Sequence, residues 1–163
     1  MGAYDVSDAV TLKGRFGTNP TVLVSEAAVN ATAATVADVT GYSTGDKVIV
    51  NPGGDTEEVN TVNTITGRVL GMSSAFVHPH HIRENLWERT DPTTVTLKVK
   101  GPSCSTASYT YAAAEITQVT QGVYSKDLSL SSAGTYYYKW IGTGAAETAG
   151  EGQFSVRPSQ FAT

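Results

Sequence analysis

The sequence predicts an all-β protein: a β-sandwich whose first loop carries a second, smaller β-barrel. Three observations lead there. Thr, Val, Ser, Ala and Gly stand where charge usually does, since 16% of residues are Asp, Glu, Lys or Arg against about 25% in ordinary globular chains. Short stretches alternate apolar and polar residues at period two, as strands with one buried face do. Turn residues (Gly, Pro, Asn, Asp) break those stretches about every 8–12 residues, the spacing of sandwiches and barrels.

Residues 8–16 read as the first strand, with Val10, Leu12 and Phe16 on one face around Gly14, and Thr11, Lys13 and Arg15 on the other. Gly17-Thr18-Asn19-Pro20 reads as the turn that ends it. Val22-Leu23-Val24 is a short apolar strand. Neither period wins over residues 27–39, where β-branched Thr35, Val36 and Val39 favour strand. A tight turn at 41–46 leads to Lys47-Val48-Ile49-Val50, and Asn51-Pro52-Gly53-Gly54-Asp55 is the next turn. A polar, β-branched run at 57–63, a turn at Thr66-Gly67 and a return at 68–72 follow. Residues 76–89 read as irregular, with Leu86 and Trp87 as anchors.

Alternation resumes after Asp91-Pro92. Val95, Leu97 and Val99 face one way, Thr96, Lys98 and Lys100 the other. Short strands at 108–111 and 116–119 precede a longer one at 122–130. There Tyr124, Leu128 and Leu130 share a face with Lys126, which must reach an edge or snorkel. Residues 134–142 are the densest signal: at period two, Tyr136, Tyr138 and Trp140 face the core and Tyr137, Lys139 and Ile141 face away. Gly142-Thr143-Gly144 is a hairpin turn, Phe154 and Val156 mark the last strand, and residues 159–163 read as a tail.

The expected organisation is discontinuous. Residues 1–19 and 92–163 match the size of an immunoglobulin-like sandwich, and residues 20–91 form a small β-barrel inserted in its first loop. The best core partners for the aromatic strand are Val10, Leu12, Val95, Leu97, Leu128 and Phe154.

Composition excludes several classes. A net charge of −4, a pI near 5.3 and the lack of a Lys/Arg cluster argue against nucleic-acid binding by a basic surface. One cysteine, Cys104, excludes an internal disulfide. The first residues lack the basic and apolar regions of a signal peptide, Val6 breaks a myristoylation motif, and no apolar run approaches the ~20 residues of a membrane span. A chain made in a host cytoplasm, with no membrane partner, is expected.

The outer segments resemble the immunoglobulin-like domain of small tailed-bacteriophage structural proteins. Tyr-Asp-Val-Ser-Asp-Ala-Val-Thr-Leu (4–12), Asp-Pro-Thr-Thr-Val-Thr-Leu-Lys-Val-Lys-Gly-Pro (91–102), Gly-Val-Tyr (122–124), Ala-Gly-Thr-Tyr-Tyr-Tyr-Lys-Trp-Ile-Gly-Thr-Gly (133–144) and Glu-Gly-Gln-Phe-Ser-Val-Arg-Pro-Ser (151–159) carry the likeness. The insert resembles a second phage β-module through residues 40–54, 57–62, 67–70 and His78. The resemblance implies a non-enzymatic virion protein present as a homo-oligomer or in many copies. Its partners would be major capsid or neck and portal-proximal proteins. Capsid decoration or stabilisation ranks first, a neck or head–tail connector second, and a carbohydrate-binding adhesion module on a fibre third.

No catalytic residue, cofactor or metal is expected. Phe76-Val77-His78-Pro79-His80-His81 has imidazoles for a metal, but zinc needs further ligands, and Pro79 scatters the rings. Asp46, Asp55, Glu57 and Glu58 lack calcium-loop spacing and suit turns. Ser103-Cys104-Ser105 has no accompanying nucleophile motif. The expected contact residues are Tyr137, Ile141, Tyr109, Tyr111, His78, His80, His81 and Trp87, since exposed aromatics serve interfaces and sugar stacking alike.

Overall fold

The computed structural model describes residues 4–146 and 149–158. Every regular element among them is a strand, so the all-β expectation holds. Two compact units divide the chain, residues 1–16 with 91–163 and residues 17–90. The residues read as a tail, 159–163, lie outside the described ones.

The outer unit holds β1 (Tyr4–Asp5), β2 (Ala9–Arg15), β9 (Thr94–Lys100), β10 (Thr106–Thr110), β11 (Thr117–Thr120), β12 (Val123–Ser129), β13 (Gly134–Thr143) and β14 (Ala149–Arg157). These form a five-stranded sheet ordered β1-β14-β13-β9-β10 and a three-stranded sheet ordered β11-β12-β2. Only β1, on β14, pairs in parallel; every other ladder of this unit is antiparallel. The sequence reading did not include β1. Because β1 precedes β2, the insert follows the second strand instead of occupying the first loop.

One core joins the two sheets. Val10, Leu12 and Phe16 of the N-terminal segment are packed with Val95, Leu97, Tyr124, Leu128, Trp140, Phe154 and Val156. The period-two reading of these strands is correct, and Tyr136 and Tyr138 lie against the same cluster. Trp140 sits over Gly14: a methyl there would lie 2.6 Å from its Cδ2. Phe16 meets Tyr124 and Trp140 edge-on, with ring centroids 5.6 and 6.5 Å apart. Gly142 makes room for Phe16, whose Cε1 would lie 2.7 Å from an added Cβ. Lys126 keeps to the core-facing side of β12 by laying its ammonium 4.7 Å from the centroid of the Tyr109 ring, a cation–π contact.

The chain re-enters this unit at Asp91, one of whose carboxylate oxygens gathers backbone and side-chain donors. Its Oδ1 accepts from Gly122 N (2.6 Å), Gln118 Nε2 (2.9 Å) and Tyr124 Oη (3.2 Å). Burial, and then the Asp91 charge, push the Tyr124 hydroxyl up from 10.0 to about 12.

The unit spanning 17–90 is one six-stranded sheet ordered β3-β8-β5-β6-β7-β4. Its strands are β3 (Gly17–Val22), β4 (Ala33–Thr35), β5 (Lys47–Val50), β6 (Glu58–Thr66), β7 (Val69–Met72) and β8 (Asn85–Arg89). It wraps a separate core of Leu23, Val36, Val48, Val50, Val62, Leu70, Phe76 and Leu86. Here three expectations are corrected. The sheet does not close into a barrel: between its edge strands the contact is a single bridge, Leu23 with Val36. Gly17–Pro20 is not a turn but part of β3, where a register shift between Thr18 and Thr21 absorbs the turn-type residues. Asn19, at φ 49°, takes the left-handed conformation inside that bulge. Residues 85–89 are not irregular but form β8, between β3 and β5.

Trp140→Ala should cost the outer unit about 3–5 kcal/mol, the range for a truncated core aromatic. Gly14→Ala should cost about 1–3 kcal/mol by overpacking the same ring. Urea denaturation followed by tryptophan fluorescence for the glycine variant, and circular dichroism for both, checks the pair. Survival of Trp140→Ala at wild-type stability would remove this strand from the centre of the core. A second expectation concerns alkali. Because the folded hydroxyl of Tyr124 titrates above its unfolded value, its contribution is complete below about pH 10 and disappears as pH climbs towards 12. Tyr124→Phe should therefore flatten the loss of stability between pH 10 and 12, read from urea midpoints across that window.

Candidate functional site

Strand β13 has two faces with different work. The inward side chains end in Trp140, 2% exposed, while outward Tyr137 is 52% exposed. Cross-strand register fixes what surrounds it. Tyr137 lies opposite Lys100 and Lys139 opposite Lys98 on β9; on the other flank Tyr137 faces Gln153 and Lys139 faces Glu151 of β14. Ile141, half-buried, continues the row opposite Thr96.

These outward residues bound an open groove of about 530 Å³ on the five-stranded sheet. Lys98, Lys100 and Lys139 line it together with Tyr137 and Tyr138, and Glu151 is the one carboxylate among its lining residues. Lys98, Lys100 and Lys139 are all exposed. Directly opposed like charges weaken a sheet, and Lys98 with Lys139 is such a pair. The groove therefore favours anions, and Tyr137 offers an apolar ring with a hydroxyl beside them.

The remaining expected contact residues divide. Tyr109 is turned towards the core and is packed against it beneath Lys126. Tyr111 is exposed, sits edge-on to Tyr124 at 5.3 Å and donates its hydroxyl to Gln118 Oε1 at 3.3 Å. In the other unit, Trp87 is half-buried on β8 and lies opposite Ile49. His78 and His81 are exposed, with His81 Nδ1 3.8 Å from Glu26.

His80 corrects the expectation of a contact residue, because its side chain is fully buried. Its Nδ1 lies 2.8 Å from Glu84 Oε2 and its Nε2 3.5 Å from Glu58 Oε2, while the ring meets Phe76 edge-on at 4.9 Å. The Glu58 carboxylate is also held by the N–H groups of Val77 and His78. A backbone bridge between Ala27 and His80 pins the same loop. This cluster braces the loop before β8. Its only sequence clue is the i, i+4 spacing of Phe76 with His80 and of His80 with Glu84.

Acidic residues of this unit cap their own turns while Asp38 and Asp55 stay exposed. Asp46 accepts Ser43 N at 2.6 Å, and Glu57 accepts Gly53 N at 2.5 Å. The Thr40 N–H and hydroxyl, at 2.9 and 2.8 Å, hold the Asp38 carboxyl below its ordinary range. Burial, then the Glu88 charge, push the Tyr42 hydroxyl above its ordinary range; it donates to Asn19 O and Leu86 O. Among the described residues, no group of three or more His, Cys, Asp or Glu is placed to hold a metal. Cys104 is exposed, at φ 62° in a turn whose flanking Ser103 and Ser105 hydroxyls bond each other.

Sequence reasoning singled out Tyr137 and Ile141 on this sheet face but passed over the lysines. Their signal was present: alternation in Thr94–Lys100 already sends Lys98 and Lys100 outward. That Lys139 meets them depends on register between strands distant in sequence. No protein-family model, no curated protein and no solved structure matches this chain.

His80→Ala should destabilise the unit spanning 17–90 by about 1–3 kcal/mol, since it strands two carboxylates that the ring now faces. His78→Ala, on the exposed side of the same loop, should stay within about 0.5 kcal/mol of wild type. Urea denaturation with limited proteolysis of the 76–84 loop checks the contrast.

Proposed function

We propose that this chain is a non-enzymatic structural protein of a tailed-bacteriophage virion, docking on neighbouring subunits through the outer face of its five-stranded sheet. The observation that carries the reading is the face itself: rigid, on the strand that also anchors the core, with Tyr137 exposed and a groove beside it. Aromatic side chains on a preorganised surface suit protein contacts because little entropy is lost in ordering them.

The finer fold reading supports the family resemblance. The order β14-β13-β9-β10 against β2-β12-β11 follows the strands G-F-C-C′ against B-E-D of an immunoglobulin-like sandwich. Tyr136, near the start of β13, donates its hydroxyl back to Ser132 O at 3.1 Å, the tyrosine-corner arrangement of that fold. It departs in having no disulfide between the B- and F-type strands, where Trp140 over Gly14 makes the connection instead. The inserted unit reads as a small barrel-like module opened along one seam. Capsid decoration or stabilisation remains the first assignment, with a neck or head–tail connector position second. In either place many weak contacts add up through multivalency.

A carbohydrate-binding adhesion role is the second reading, favoured by Tyr137 beside a groove large enough for a sugar residue. Quantitative mass spectrometry of purified virions separates these roles. Copies on the order of hundreds per particle fit decoration of a symmetric shell, and about a dozen fit a ring at the neck. Absence from particles, joined to glycan-array binding that Tyr137→Ala abolishes, would replace the structural role by the adhesive one.

A further inference from the structure

The charge of this chain is divided unevenly. Residues 17–90 contain eight Asp or Glu against four Lys or Arg, whereas the outer segments hold seven of each, so the whole net charge of −4 resides in the insert. The outer unit, neutral in sum, nevertheless gathers Lys98, Lys100 and Lys139 on one sheet face. Lys98 and Lys139 are placed directly opposite each other, with Glu151 as the single carboxylate lining the groove. A like-charge pair held in register has a standing cost, and that cost turns into a gain once an anion lies between the two ammoniums.

Exposed carboxylates of opposite charge to this face lie on the same polypeptide, in the acidic insert. Asp38 and Asp55 are exposed on turns of the insert, and the Glu26 side chain is 72% exposed. We propose that the Lys98–Lys100–Lys139 face binds the acidic turns of the inserted unit of a second copy of this chain. This deepens the docking reading and rests on it for the choice of face. The contact is heterologous, since one surface meets a different surface, and such contacts propagate into rings or open arrays instead of stopping at a two-fold dimer. Tyr137 supplies the apolar centre and the lysines set register and speed of encounter, as rim charges do. Because the charges are exposed, the contact weakens as salt shortens the screening length from about 30 Å at 0.01 M to about 3 Å at 1 M.

Sedimentation velocity of the full chain tests this. At low salt the wild type should associate with rising concentration, and at high salt it should revert to monomer. Lys98→Gln with Lys139→Gln should weaken association at least tenfold in dissociation constant, with a urea transition no lower than that of the wild type, since an opposed like-charge pair is removed. Glu26→Gln with Asp38→Asn and Asp55→Asn should weaken it as much, and the Asp38→Asn amide keeps an oxygen for the Thr40 N–H and hydroxyl. Mixing the two variants should yield a one-to-one complex that grows no further, because each chain retains one half of the contact. A wild-type chain that stays monomeric at low salt, or a mixture that stays unassociated, overturns the inference. If the lysine variant is also excluded from particles while the wild type remains monomeric, the face docks a different subunit: the inference fails and the docking role stands. If that variant enters particles normally and the wild type is monomeric, both fail.

Discussion

Everything in the outer unit depends on an aromatic ring occupying the space of a missing side chain. Gly14 lies on β2 of the three-stranded sheet, Trp140 on β13 of the five-stranded one, and the ring fits only because residue 14 has no Cβ. The reciprocal fit repeats one turn of the pleat away, where Gly142 leaves room for Phe16. Close-packed interiors transmit any added methylene as strain, so these two glycines set the spacing of the sheets. With a single cysteine in the chain no disulfide can tie the two sheets, and a glycine under a tryptophan makes the cross-sheet contact. The two halves of the contact lie on opposite sides of the insert in sequence, so the domain cannot assemble from either segment alone.

That constraint explains how a large insertion is tolerated. The first and last strands of the insert zip together, beginning with Gly17 opposite Arg89, so its ends leave and return side by side. Loop closure therefore adds little entropy beyond what the insert's own folding already meets. On the return side Asp91 gathers three donors on one oxygen, tying the re-entry point to the turn before β12. Prolines in the sequence mark both approaches, Pro20 within the bulge of β3 and Pro92 just after the clamp. The insert has its own core and its own buried brace at His80, and needs nothing from the outer unit's core residues to satisfy them.

How much of this was legible in the sequence follows from which physics is local. Alternation at period two identified β2, β9, β13 and the inward partners of Trp140, because burial of one face writes itself into successive residues. The bulge in β3 was misread as a turn since Gly, Asn and Pro serve both, and only pairing with β8 decides between them. The strand β8 was hidden because Asn85, Glu88 and Arg89 are polar on both faces, and β1 because two residues carry no period. His80 was misplaced for a similar reason. A histidine beside Pro79 in a polar loop looks exposed, and the carboxylates that admit it to the interior come from Glu58 on β6 and Glu84 just before β8. The lysine face lay half in view: alternation sent each lysine outward, but their meeting is a fact of register.

The same strand carries a core tryptophan and, among the described residues, the most exposed aromatic side chain, and that pairing bears on function. A docking residue on a loop must be ordered when its partner arrives, which subtracts from affinity. Tyr137 and Lys139 alternate with Tyr138 and Trp140, so the core already holds their backbone, and the ladders to β9 and β14 hold it from both sides. Little is left to order except the side-chain ends. A platform of this kind suits an assembly made of many individually weak contacts, where each copy must present the same geometry without adjustment. It also leaves the outward residues free of any part in the core, so their chemistry, lysines opposed across a ladder in an acidic protein, is set by what the surface meets and not by what the fold requires.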